Sequence, residues 1–143
     1  MNKRFDGAVG LSTLTVRHAD TAIALGSGDV TVLGTPRLIA LAEAATVAAL
    51  QDRLDQQETS VGIAVSIEHL GASPLGSEVV ASACVIDVSE SKITFSVEVR
   101  DGDRIVGKGQ IVRAVVDRVQ FMARIAALTA SQSSPTVTTE PGA

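Results

Sequence analysis

Between Leu38 and Leu50 every residue is apolar except Glu43 and Thr46. A helix made from that stretch has no polar face to turn to solvent, so the fold must surround it on most sides. The preceding Gly34-Thr35-Pro36-Arg37 marks its start, with Thr35 placed to cap and Pro36 in the first turn, where a missing N–H is harmless. The spacing predicts a helix from Pro36 to about Leu54. A single sheet covers one flank of such a helix, so a second subunit is expected against another, making the protein at least a dimer.

The rest of the chain reads mostly as strands. Residues from Gly10 to Leu25 mix β-branched and polar types, with Leu14, Val16 and His18 on one face and Leu11, Thr13, Thr15 and Arg17 on the other, a half-exposed strand. Gly26-Ser27-Gly28-Asp29 breaks that pattern. After a polar loop from Gln51 to Ser60, Val61, Ile63, Val65, Ile67 and His69 alternate with Gly62, Ala64, Ser66, Glu68 and Leu70 at strand period. Pro74-Leu75-Gly76 turns the chain, and strands follow at Ser77 to Val88, Lys92 to Arg100 and Arg104 to Val116. Turns at Ser89-Glu90-Ser91 and Asp101-Gly102-Asp103 join them into an antiparallel meander. Val119, Met122, Ile125 and Leu128 recur at helical spacing between Asp117 and Leu128, a short terminal helix. The order is α+β, one long helix packed on an antiparallel sheet. We expect a single domain over residues 1–130 and a disordered Ser/Thr/Pro-rich tail over 131–143.

Composition narrows the function classes. A net charge of -4, no Trp, no Tyr and three Phe leave neither a basic patch nor aromatic platforms for nucleic acid. No apolar run reaches the length of a membrane span or a signal peptide, so a cytoplasmic location and no membrane partner are the expectation. The lone Cys84 lies in a strand-like run and is read as a buried structural thiol. Two histidines and one cysteine at these spacings make no metal motif, and there is no G-x-S-x-G elbow, P-loop, dinucleotide fingerprint or C-x-x-C pair.

Few residues remain to carry chemistry. Glu43 interrupts the apolar helix, and its carboxylate must be paired, reach a solvated gap or work with a tuned pKa. Thr35 has a structural role as a cap, yet stands where helix N-terminal N–H groups receive anions. His69 closes an apolar strand face and is either a packed residue or a general base. His18, between Arg17 and Ala19, reads as structural.

These residues belong to an ordered set of words: Gly34-Thr35-Pro36-Arg37-Leu38-Ile39-Ala40-Leu41-Ala42-Glu43-Ala44-Ala45, then Thr59-Ser60-Val61-Gly62, then His69-Leu70, then Ala72-Ser73-Pro74-Leu75-Gly76. Together with their intervals they resemble the fluoroacetyl-CoA thioesterase-like family of the hot-dog superfamily, over roughly Val30 to Val116. The resemblance implies a hot-dog fold, a helix wrapped by a curved antiparallel sheet. It also implies a homodimer, with pairing into tetramers left open, and an acyl-CoA site at the subunit interface. It assigns Thr35, Glu43 and His69 as catalytic, with Glu43 as nucleophile or as base toward water, His69 assisting proton transfer and Thr35 orienting carboxylate or substrate. Gly62 matches a glycine near the thioester carbonyl, and Arg113 is a substrate-binding candidate, facing CoA phosphates, the interface or a surface ion pair. No cofactor is implied, CoA entering as part of the substrate. The lid phenylalanines of the fluoroacetyl-specific enzyme have no counterpart in Gly26 to Asp29, so the expected activity is acyl-CoA hydrolysis without fluoroacetyl selectivity. The alternatives are a non-catalytic acyl-CoA-binding or scaffold protein and, less favoured, a hydratase, since no close Asp/His pair is present.

Overall fold

The computed structural model describes residues 3–132. Strand β1 (Val9–Thr15) is followed by a 3-10 turn at His18–Asp20, a one-turn helix α1 (Ala22–Leu25) and the long helix α2 (Thr35–Leu50). Four strands then run consecutively, β2 (Glu58–His69), β3 (Glu78–Ser89), β4 (Lys92–Asp101) and β5 (Arg104–Asp117), before a terminal helix α3 (Arg118–Gln132). All strand pairs are antiparallel in one five-stranded sheet of order β1-β3-β4-β5-β2. This is an α+β architecture, one long helix held in the curl of a single antiparallel sheet.

The alternation of β4 shows why the sheet curls round the helix. Ile93, Phe95, Val97 and Val99 are all buried, while the residues between them are not. They meet Leu38, Leu41, Ala42 and Ala45 of α2 in one core that also takes in Phe5 and Ile111. Small residues let helix and sheet approach closely: a β-carbon on Gly10 of β1 would overlap the backbone of Ala45 and Ala49. Helix α2 is shorter than its sequence pattern predicts, ending at Leu50 rather than near Leu54. Its flank at Pro36, Ala40, Ala44 and Val47 is exposed in the single chain.

Several expectations are corrected. The strand read from Gly10 to Leu25 stops at Thr15, because Thr21 caps a new helical turn by accepting from the N–H of Ala24. His18 accordingly sits exposed in the 3-10 turn rather than on a strand face with Leu14. Cys84 is exposed, not buried, since Val79, Ala81 and Ala83 hold the inward face of β3 and Cys84 falls on the other. Strand β2 starts at Glu58 within the expected loop, held by the Glu58 carboxylate pairing with Arg4 at 2.6 Å and accepting from the Asp55 N–H. Helix α3 continues through Ser131 and Gln132; residues 133–143, the remainder of the expected tail, lie outside the described residues. No helix among the described residues is long and apolar enough to cross a membrane.

Candidate active site

Gly34 takes an extended conformation (φ -76°, ψ 145°) and occupies the N-cap of α2, which puts Thr35 at the first helical position. Thr35 is therefore not the cap. Its hydroxyl instead lies 2.7 Å from Nδ1 of His69, at the end of β2. One residue opens α2 and the other closes β2, and the folded chain brings that helix start to that strand end. Both line a cavity of about 380 Å³ whose other walls include Ser27, Gly28, Asp29, Val30, Leu70 and Gly71. No Lys or Arg is among its lining residues.

Burial lowers the His69 pKa from its usual value, with a backbone interaction from Gly71 opposing in part. The imidazole is thus neutral at pH 7, the form able to accept a proton. Its Nε2 is buried with no well-formed hydrogen bond. A buried nitrogen without a partner beside a cavity is a position for a substrate group or water.

Glu43 lies two turns further along α2, about 12 Å from Thr35 at the helical rise. Its carboxylate is part-exposed and stands 3.8 Å from Nη1 of Arg113. Arg113 is buried, donating from Nε to the Ser60 hydroxyl at 2.9 Å and from Nη2 to the Ser60 carbonyl at 3.1 Å. Burial lowers its pKa and the Glu43 charge opposes that. The surface ion pair considered for Arg113 does not hold, because the guanidinium is enclosed behind Glu43. Gly62 sits opposite Arg113 in the β2–β5 ladder, at a bulge between Gly62 and Ala64. A β-carbon there would come within 2.7 Å of Glu43 Oε2, so the missing side chain is the space the carboxylate occupies.

The site residues thus fall into two groups within one chain. Thr35 and His69 form one; Glu43, Gly62 and Arg113 form the other, seven residues back along β2. Ser60 is the one contributor that pattern reasoning did not single out as a site residue, although it stands in the Thr59-Ser60-Val61-Gly62 word.

A curled antiparallel sheet around one long helix is the architecture of the hot-dog class of proteins. The sequence profile of the fluoroacetyl-CoA-specific thioesterase family matches residues 16–119, and the chain belongs to that family of thioester hydrolases. It is 31% identical over 94 residues to the fluoroacetyl-CoA thioesterase of Streptantibioticus cattleyicolor, covering 66% of this chain and 68% of that protein. A solved structure of a fluoroacetyl-CoA thioesterase superposes with a TM-score of 0.79 at 26% identity, covering 85% of this chain and 95% of that one. A threonine-to-serine mutant solved with acetyl-CoA gives 0.80 at 25% identity, covering 87% and 98%. A thioesterase-superfamily protein from Thermus thermophilus gives 0.83 at 17% identity over 90% and 95%, a likeness of fold alone.

Proposed function

We propose that this protein hydrolyses an acyl-CoA to the free acid and CoA, as a homodimer whose two sites each draw residues from both chains. The observation that carries the reading is the division of the site: Thr35 bonds His69 at the cavity, while Glu43 waits on Arg113 beside Gly62. Among the described residues β2 is an edge strand, paired with β5 on one side only, and Gly62 through Ser66 are all exposed along it. An antiparallel pairing of β2 with its own copy, centred on Ser66 and with Ile63 taken up by the bulge, would set Gly62 of one chain opposite His69 of the other. Glu43 of one subunit then stands beside the Thr35–His69 pair of its partner.

In that arrangement Glu43 acts on the thioester carbonyl, either directly as nucleophile or by taking a proton from the attacking water. His69, neutral and hydrogen-bonded to Thr35, takes up the proton that the attacking water gives up, directly or by way of Glu43, and delivers it to the departing CoA thiolate, so the ring ends neutral as it began. Thr35 fixes the ring. Arg113 is a positioning residue, holding the carboxylate while itself anchored by Ser60. Support for a CoA thioester comes from the similarity to the fluoroacetyl-CoA thioesterase solved with acetyl-CoA. The acyl group is taken to be other than fluoroacetyl, because Ser27, Gly28 and Asp29 line the cavity where that enzyme carries aromatic lid residues.

The test mixes two inactive variants. Glu43→Ala and His69→Ala are each expected to lower kcat by at least about 100-fold in free-CoA production across a panel of acyl-CoAs. After unfolding and refolding together, half the dimers are mixed and one of their two sites is intact, so about a quarter of wild-type activity returns. No recovery would place the whole site within one chain. No turnover of any acyl-CoA by the wild type, with CoA thioesters still bound, would favour the binding-protein alternative.

A further inference from the structure

We infer that α3 of one subunit folds over the cavity of the other, supplying both apolar cover and arginines for the CoA phosphates; this rests on the β2-paired dimer proposed above. Three observations carry it. The first is that α3 packs little against its own chain: among the described residues only its Phe121 is half-buried, with the Arg124 guanidinium over the ring. It has no buried residue, and Val119, Met122, Ile125 and Leu128 are 73%, 56%, 38% and 55% exposed. It begins immediately after β5, fixed by the Arg118 N–H donating to Gln57 and the Gln120 N–H donating to Asp117. A stripe of large apolar side chains on a helix of about 22 Å implies a surface to cover it.

The second is register. Asp117 pairs with Glu58, so α3 leaves the sheet at the Glu58 end of β2. In the antiparallel dimer centred on Ser66, with the Ile63 bulge counted, Glu58 lies level with Ser73 of the other chain. That is next to the cavity wall at Leu70 to Ala72, and the apolar wall residues Val30 and Leu70 are 52% and 54% exposed. Two unpartnered apolar surfaces are thus brought to the same end of the assembly.

The third is charge. The cavity has Asp29 and no cation in its lining, yet a CoA thioester carries several phosphate charges. α3 holds Arg118 and Arg124 and no acidic residue between Arg118 and Gln132, in a chain of net charge -4. The helix therefore brings to the cavity the two properties that its own walls lack, an apolar roof and positive charge.

The experiment begins with light scattering on the wild-type chain, where a monomer would remove the dimer and with it this inference. Given a dimer, Leu70→Cys is combined with Met122→Cys, Ile125→Cys or Leu128→Cys in a Cys84→Ser background and treated with a short bis-maleimide. Cross-linked dimer on a denaturing gel is expected from at least one pair and from none of the single-cysteine chains. Separately, Arg124→Gln is expected to raise KM for the acyl-CoA at least five-fold while leaving the matching acyl-N-acetylcysteamine thioester, which lacks phosphates, within two-fold. Dimers that give no cross-linked dimer from any pair, cross-linking by single-cysteine α3 variants alone, or an equal KM change for both thioesters would each overturn the assignment, with the dimer reading left standing.

Discussion

His69 is held neutral by burial, and this fixes the sign of two pH effects. Its folded pKa lies below the unfolded one, so the neutral ring contributes stability that is fully present above the unfolded value, near 6.5, and lost as pH falls toward the folded one. The kcat/KM profile is expected to stay level as pH falls past about 6.5 and to drop only below it; an acid limb centred above that value would contradict a buried neutral base. Gly62→Ala gives a sharper residue-scale prediction. Its β-carbon would crowd Glu43 Oε2 at 2.7 Å, and a carboxylate at the end of a flexible side chain yields before a backbone does. Activity is expected to fall roughly 10- to 100-fold while thermal melting moves little. Glu43 was legible in the sequence because a lone carboxylate in an apolar helix needs a reason. Its partner Arg113 was visible only as a weak candidate, since nothing local reveals that β5 buries its guanidinium against Ser60. Thr35 was found for the wrong structural reason: an extended Gly34 takes the cap and frees the hydroxyl for His69.

At the scale of elements, α2 and the β3–β4–β5 meander follow from periodicity and turn residues to within a few positions. What periodicity could not supply is adjacency. β1 lies beside β3 and β2 beside β5, placements decided by long-range closure of the sheet around α2. The apolar content on both faces of β3 also hid the outward direction of Cys84. The crossing of α2 over β1 leaves no room for a side chain. Gly10→Ala puts a methyl group into the backbone of Ala45 and Ala49, where neither side can retreat by a rotamer change. The expected loss is about 3 kcal/mol, at the upper end of overpacking effects, read as a lower urea midpoint with an unchanged slope.

The whole molecule is set by the open side of β2. Ile63 and Val65 are 48% and 43% exposed there, and one flank of α2 remains uncovered nearby. In the proposed β2-paired dimer, Val65→Asp would place like charges near the two-fold axis, so the variant is expected to sediment as a monomer at micromolar concentration and to lose activity. A retained dimer would mean that another surface joins the subunits. A need for a second subunit could be argued from the apolar helix alone, but which edge would meet it depends on a strand order that only the folded sheet discloses.

Cys84, exposed on the outer face of β3, has a practical consequence. It is the only thiol in the sequence, so a thiol-reactive dye will label the folded protein once per chain. In a colorimetric assay of released CoA, that labelling produces one equivalent of signal before any catalysis, with the time course of a single-turnover burst. The same residue offers a unique attachment point for a fluorophore, and its replacement by serine separates the protein's own sulfur from the one the reaction sets free.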